Sequence, residues 1–463
     1  MTDELPILGQ SAPLPCPSGD GRPVEGSGRA VYLETYGCQM NQADSELLVS
    51  ILRGSGFATV DRPEEADVIL LNTCAVREHA EARVIGRASQ LQGLRVQRPG
   101  LTLGILGCMA QRLAAELPRR APFVDLVVGP DAYRRLPELL ERTGEEAVLD
   151  VRLRRSEDYA GITPDRGTGP TAWVTIMRGC DRFCSFCIVP YVRGRERSVP
   201  PEELLSQVER AARAGAREVT LLGQTVNSYR HGPVSFARLL REVAAVPGVA
   251  RIRFTSPHPA ELDEETLQTM AEVPQLCPSL HLPVQSGSDA QLERMRRGYT
   301  AAEYRRLVRR AREVIPGIAL TTDVVVGFCG ESEEDYRETV ALMEEVRFDA
   351  AFLFKYSERE GTHAQRHLTD DVPPEVKQRR LEAVIALQER ISYERNQEYL
   401  GRTVEVLLEG PARSRTNGET AFFGRSPQGK TVVCDGPGSP GDLVPVRVSA
   451  ASAHTLLGER VRG

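Results

Sequence analysis

The sequence predicts a multidomain α/β protein: a parallel-sheet N-terminal domain, a (β/α)6-type partial or complete barrel, and a small C-terminal all-β barrel. Three observations predict it. Short apolar runs alternate with amphipathic helical stretches from residue 30 onward, the pattern of parallel sheets covered by helices. Six of the later runs recur at roughly 30-residue spacing, which suits a β/α barrel. After residue 400 the helical pattern gives way to short strand-like runs between Gly/Pro turns, as in small barrels. A chain of 463 residues is too long for one ordinary core, and 41% hydrophobic with 26% charged residues is globular composition.

The first 29 residues carry acids where a signal peptide would carry basic groups, and prolines interrupt their apolar content. They are expected to be a disordered leader of a cytoplasmic protein. No apolar run approaches the roughly 18 residues of a membrane span. The net charge of −6 argues against wholesale non-specific nucleic-acid binding while permitting a local basic surface. Ten cysteines without a secretion signal point to metal or redox chemistry before disulfides.

In the first domain AVYLETYGC, DVILLNTC and LTLGILGC each read as a strand ending in Gly-Cys or Thr-Cys, with helical stretches such as ADSELLVSILRGSG between them. Residues 151–170 are polar and rich in Gly and Pro, as in a linker. The barrel strands are AWVTIM, EVTLLG, RIRFTS, SLHLPVQS, IALTTDVVVG and AAFLFKYS. A charged helix, EVKQRRLEAVIALQERISYERNQEYL, leads to the last strands, TVEVLLEG, TAFFGRS, KTVVCDG and LVPVRVSA.

Cys180, Cys184 and Cys187 lie in RGCDRFCSFCIVPY. A C-x3-C-x2-C loop places three thiolates around one small cluster. A [4Fe–4S] cluster normally takes four, so three leave one iron open to another ligand. A zinc knot lacking a ligand, or three unrelated buried cysteines, are the plainer readings. Position straight after the first barrel strand, where function concentrates, favours the cluster. Cys38, Cys74 and Cys108 each follow an apolar strand of the first domain. Strand C-termini of a parallel sheet share one edge, so these loops converge and offer a second three-thiolate site. Singly, each reads better as a small core residue than as a ligand; together, with the same placement three times over, they favour ligation. Cys16, Cys277, Cys329 and Cys434 share no spacing and are expected not to be ligands.

The C-x3-C-x2-C loop, with Phe186 before its last cysteine, resembles the radical S-adenosylmethionine (SAM) superfamily. YGCQMNQADS, NTCAVREHAEARV, GCMAQR, IMRGCDRFCSFCIVPYVRGRERS and HLPVQSGSD resemble its methylthiotransferases, and among them the branch acting on isopentenyladenosine in tRNA. The resemblance runs from about residue 30 to the C-terminus. It implies an N-terminal methylthiotransferase domain over 30–146, with an auxiliary [4Fe–4S] cluster on Cys38, Cys74 and Cys108. A linker over 147–165 then precedes a radical-SAM core over 166–397, whose Cys180, Cys184 and Cys187 hold the cluster that binds SAM. A TRAM RNA-binding barrel over 400–463 completes the chain. The implied reaction is methylthiolation of carbon 2 of N6-isopentenyl(dimethylallyl)adenosine at tRNA position 37, next to the anticodon, with a second SAM supplying the methyl group. That carbon carries an unactivated C–H bond, which side-chain acids and bases do not attack, so a cofactor must do the hard chemistry. The implied partner is tRNA; no feature of the sequence points to the electron donor or sulfur source. Cys329 in GFCGES and Thr225 in GQTVNSY depart from the proline and asparagine of the family, and neither is expected to touch a cluster ligand.

Secondary positions carry two readings each. Gly223 and Gln224 end a barrel strand where SAM could approach the backbone, or serve only the turn. Phe186 covers an adenine or shields a cluster. Ser256, His258 and Gln285 lie at strand C-termini, as polar substrate contacts or as turn residues. Arg193, Arg195 and Arg197 in RGRERS suit a SAM carboxylate or tRNA phosphate, or form a solvated charge run. Arg413, Arg415, Arg425 and Lys430 flank Phe422 and Phe423, a mixture suited to RNA unless the phenylalanines are barrel core. The rival functions are a methylthiotransferase acting on threonylcarbamoyl-adenosine or a ribosomal protein, and a non-catalytic iron–sulfur RNA-binding protein. NTCAVRE favours the isopentenyl branch, and a structural cluster has no need of an open iron.

Overall fold

The computed structural model describes residues 14–15, 28–75, 78–144, 146–167, 169–412 and 420–461. Cys16, Arg413 and Arg415 lie outside the described residues, as does most of the expected leader, of which Leu14–Pro15 pairs antiparallel with Thr35 and Glu34. The chain forms two compact units: Met1–Gly167 with Ile188–Arg197, and Thr168–Cys187 with Ser198–Gly463.

The first unit is built on the parallel strands Ala30–Tyr36, Val68–Thr73, Thr102–Gly107, Leu126–Val128 and Val148–Asp150, neighbours in chain order. Val68–Thr73 and Thr102–Gly107 are buried at every position, as strands covered on both faces must be. Alternate side chains serve the two faces. Val31, Leu33, Leu70 and Leu106 pack with Leu48 and Leu52 of helix Gln39–Gly54. Tyr32, Ile69, Leu71, Leu103 and Ile105 pack with Val84 and Ala88 of helix Glu78–Leu91. Each leucine fully buried in this way contributes about 1.5–3 kcal/mol. Residues 147–165, expected as a linker, are partly built into the unit. Val148–Asp150 is the edge strand, and Tyr159 joins the core while its hydroxyl donates to the Pro130 carbonyl (2.5 Å). A three-residue strand carries too little periodicity to be read from sequence.

In the second unit the six expected strands are parallel, in two sheets of three. Thr171–Thr175, Glu218–Leu222 and Arg251–Phe254 form one; Ser279–His281, Ala319–Val326 and Ala350–Lys355 form the other. Helix Pro201–Arg213 turns Leu204, Val208 and Ala211 inward. Capping boxes at Thr300 and Ser332 start helices Ala301–Val314 and Glu333–Val346 and satisfy amides that a helix start leaves free. No described helix is long and apolar enough to cross a membrane.

The sequence points to four strands after residue 400; the described residues there form five. Thr455–Arg460 pairs with both Thr431–Asp435 and Leu443–Ala451 and closes the barrel with Thr403–Ala412 and Ala421–Arg425. Without it two strands would be left as open edges. This barrel is anchored to the β/α strands within the same unit. Arg251 donates to the Arg425 carbonyl (2.6 Å) and to Glu405 (3.0 Å), and Arg253 to the carbonyls of Ser426 (2.7 Å) and Pro427 (2.9 Å). Lys430, expected on a basic RNA surface, is instead 8% exposed, because its long stem carries the ammonium to buried Asp349 (2.8 Å). Burial holds that ammonium below the usual lysine range.

Lys430→Met should therefore destabilise the protein. Asp349 keeps the Leu320 amide (2.9 Å) and Arg395 (3.6 Å). The loss should be about 2 kcal/mol, below the roughly 3–5 kcal/mol of a buried pair broken outright. A urea midpoint equal to that of the unaltered protein would contradict this.

Candidate functional site

Tyr36 is in register with Thr73, and Thr73 with Gly107, so three neighbouring strands end level. Cys38, Cys74 and Cys108 follow those ends within two residues. Neighbouring strands lie about 4.8 Å apart, which gathers the three thiols along one sheet edge. The turns depend on glycine. A Cβ on Gly37 (φ +142°) would stand 2.7 Å from the Cys74 Cβ, and one on Gly107 (φ +93°) 2.5 Å from the Thr73 carbonyl oxygen. Buried Asn72 donates to the Asn41 carbonyl (2.8 Å) and Ser45 hydroxyl (2.9 Å), tying the central strand to helix Gln39–Gly54. The Cys38 thiol donates to Asn41 Oδ1 at 3.5 Å.

Electrostatics favours a thiolate at Cys38 and disfavours one at Cys108. A hydrogen bond from Cys74, helped by the Arg193 cation, lowers Cys38 to about 6. Burial raises Cys108, and Arg193 works against that rise. Arg193, expected to meet SAM or tRNA phosphate, is 4% exposed, with Nε donating to Cys108 Sγ (3.1 Å) and Nη2 to Asp44 (2.8 Å). Its side chain faces inward because Ile188–Arg197 belongs to this unit, with Ile188 and Val192 packed against Ala75 and Cys108. Arg197 holds both carboxylate oxygens of Asp131 (2.7 and 3.0 Å), whereas Arg195 is exposed.

The second set lies on the loop after the first strand of the β/α series. Cys180 and Cys184 are buried and Cys187 half-buried. Gln224 accepts the Gly179 amide (2.5 Å), fixing the loop entry, and Ser185 donates to the Arg294 carbonyl (2.7 Å). Contrary to the expectation for Thr225, its hydroxyl lies 3.2 Å from Cys180 Sγ, because the strand Glu218–Leu222 pairs with Thr171–Thr175 and ends beside the loop. Buried Arg297 donates to Cys184 Sγ (3.2 Å), the Pro283 carbonyl (3.0 Å) and the Tyr299 hydroxyl (3.1 Å). Each three-thiol set thus has one buried arginine on one of its sulfurs.

The secondary positions divide. Gly223 is required by close packing, since a Cβ there would stand 2.7 Å from Met177 Cγ. Ser256 (φ 59°) and Gln285 (φ 70°) hold left-handed backbone at strand C-termini, as does Phe183 (φ 48°) in the cysteine loop. Such strain gathers at functional sites. Phe186 packs against Phe328 at 6.3 Å between ring centroids. His258 is buried beside Tyr299; burial, with Arg297 and Arg182, lowers it to about 2, so the ring is neutral. Its Nδ1 accepts the Ala260 amide (3.2 Å), which leaves the proton on Nε2. In the closed barrel Phe422 packs on the core, Phe423 is exposed, and exposed Arg425 pairs with Glu409 (3.2 Å). Cys277, Cys329 and Cys434 are buried, Cys329 in the hydrophobic cluster against which Phe186 of the cysteine loop packs, and burial pushes Cys277 up to about 11. Sequence reasoning missed Asn41, Asp44 and Asn72, although they lie inside YGCQMNQADS and NTCAVREHAEARV. Arg297 and Tyr299 had no signal in the sequence.

Among the described residues no three His, Cys, Asp or Glu side chains converge tightly enough for a single metal ion. Three thiolates around a cubane stand farther apart than around one ion. The residues fit such a cluster: three cysteines per set, a cation on a sulfur in each, and no competing disulfide among the described cysteines. In reduced, metal-free protein, alkylation of exposed Cys38 should follow a midpoint below the value of about 8.5 of an ordinary thiol, because the Cys74 hydrogen bond and the Arg193 cation favour its thiolate. Cys74→Ala should move that midpoint upward. A midpoint at the ordinary value in both proteins would contradict the assignment.

Residues 174–343 match the Radical SAM superfamily, residues 30–129 an uncharacterized protein family, UPF0004, and residues 397–461 the TRAM domain. The chain is 48% identical to the tRNA-2-methylthio-N(6)-dimethylallyladenosine synthase of Bacteroides thetaiotaomicron, over 94% of this chain and 96% of that protein. It is 48% identical to the protein of the same name from Porphyromonas gingivalis, over 94% and 95%. Among solved structures, the radical SAM methyltransferase TsrM from Kitasatospora setae, with cobalamin and a [4Fe-4S] cluster bound, matches with a TM-score of 0.52. That match spans 71% of this chain and 72% of that one at 15% identity, a likeness of fold. The three matched regions and the two near-full-length relatives agree, and the chain belongs to the tRNA-2-methylthio-N(6)-dimethylallyladenosine synthase family of radical-SAM methylthiotransferases.

Proposed function

We propose that this enzyme methylthiolates carbon 2 of N6-dimethylallyladenosine at tRNA position 37, next to the anticodon, using two [4Fe–4S] clusters and SAM. The observation that carries the proposal is the pair of three-thiol sets at parallel-strand ends, each with a buried arginine on one sulfur. When bound, the clusters and SAM supply the electron transfer, hydrogen abstraction, sulfur and methyl group that side chains lack.

The chain's own part is to hold, orient and exclude water. Cys38, Cys74 and Cys108 hold the auxiliary cluster; Cys180, Cys184 and Cys187 hold the SAM-binding one. Gly223, Gln224, Ser256 and Gln285 collar the C-terminal strand ends where SAM lies. Neutral His258 offers its buried Nε2–H, which has no partner among the described residues, as a donor to an acceptor atom of the bound ligand. Phe186 closes the loop from behind through Phe328. On the closed barrel, Arg425 with exposed Phe423 faces RNA, and Arg413 and Arg415 join them in this reading. Arg195 is the exposed member of RGRERS suited to a tRNA phosphate.

The substrate tests this reading. With deuterium at carbon 2 of N6-dimethylallyladenosine in tRNA, label should appear in 5′-deoxyadenosine and the RNA should gain a methylthio group. Unlabelled 5′-deoxyadenosine alongside product would overturn abstraction at carbon 2. Turnover of threonylcarbamoyl-adenosine or a ribosomal protein, with none of dimethylallyladenosine, would reassign the substrate.

A further inference from the structure

Among the described residues the Arg193 guanidinium makes two hydrogen bonds, from Nε to Cys108 Sγ and from Nη2 to Asp44, and its third nitrogen is left over. Its Nη1 is buried and has no hydrogen-bond partner among the described residues. Beside it the Tyr133 hydroxyl is also buried and unpartnered, and Asp44, Arg193 and Cys108 are its electrostatic neighbours. Leaving a buried donor unpaired costs about 1–3 kcal/mol. Two at one place, beside a thiol, point to an acceptor that occupies this spot when the site is loaded. The same guanidinium donates through Nε to Cys108 Sγ (3.1 Å), so an acceptor for Nη1 stands close to the Cys108 end of the three-thiol set. Cluster sulfide, or sulfur bound to the open iron, has that chemistry.

We propose that Arg193 is a positioning residue of the auxiliary cluster: Asp44 aims its guanidinium, Nε–H donates to the Cys108 thiolate, and Nη1–H donates to a sulfur of the cluster or of its sulfur ligand. The inference rests on the reading that Cys38, Cys74 and Cys108 hold that cluster. Hydrogen bonds to cluster sulfurs and local net charge set the reduction potential. A cationic donor stabilises the additional electron, so this arginine raises the potential of the auxiliary cluster. It comes from the segment Ile188–Arg197 that directly follows Cys187. The loop that ends one cysteine set therefore continues into a residue that tunes the other.

The test is the midpoint potential and EPR spectrum of the auxiliary cluster in full-length protein carrying Cys180→Ala, Cys184→Ala and Cys187→Ala. That protein should hold about four irons. Arg193→Met should shift the potential to more negative values and alter the EPR g-values. Arg193→Lys keeps the charge without the planar fork and should lie between. Tyr133→Phe, which leaves the Arg193–Asp44 pair intact, should give a smaller shift of the same sign. Where Arg193→Met does not fold or loses iron, the lysine and phenylalanine variants decide. Unchanged potentials and spectra in the variants that hold iron would overturn the role of Arg193. Absence of iron from the starting protein would overturn the underlying reading as well.

Discussion

Three parallel strands that end at the same level give the first unit its chemistry. The pairing of Tyr36 with Thr73 and Thr73 with Gly107 fixes where the chain turns, and a cysteine stands at each turn. A slip of one residue would carry Asn72 to the opposite face of the sheet. It would break the bonds to Asn41 and Ser45 that hold helix Gln39–Gly54 against the strand ends. Gly37 and Gly107 are the price of that compactness, because the backbone passes where a side chain would strike Cys74 or Thr73. Packing on both faces of the sheet makes the register rigid, and rigid strand ends are what allow three separate loops to serve one site.

The two thiol sets sit on unlike scaffolds, yet each is completed by a buried arginine. Arg193 is balanced by Asp44, so its charge is paired before any ligand arrives. Arg297 has the Pro283 carbonyl, the Tyr299 hydroxyl and Cys184, and no carboxylate among its partners in the described residues. A buried cation without a carboxylate is costly unless negative charge is supplied nearby, and the group that Arg297 meets there is the Cys184 sulfur (3.2 Å). The same logic explains why these arginines bind sulfur rather than solvent phosphate: the fold needs their charge inside.

Much of this was legible in the sequence, for reasons that can be named. Strands such as VILLNT and TLGILG are continuous apolar runs, and the six barrel strands alternate with strongly amphipathic helices. The grouping of cysteines by their place after strands needed only that pattern. What escaped was whatever depends on direction. RGRERS reads as a charge run, but Arg193 and Arg197 turn toward Asp44 and Asp131, residues far away in the chain. Lys430 reads as a basic surface residue and reaches a buried carboxylate instead. Thr225 reads as a neutral departure from a family pattern and touches Cys180. The edge strand Val148–Asp150 and the closing strand Thr455–Arg460 are set by their neighbours more than by their own composition.

The central claim is that two independent three-thiolate sets each hold one [4Fe–4S] cluster. Mössbauer spectroscopy of iron-57-reconstituted full-length protein tests it most directly. Three proteins are needed: unaltered, Cys38→Ala/Cys74→Ala/Cys108→Ala, and Cys180→Ala/Cys184→Ala/Cys187→Ala. The account predicts cubane spectra in all three, with about eight irons in the first and about four in each of the others. Full iron content in either triple variant, or a spectrum without a cubane in the unaltered protein, would contradict it.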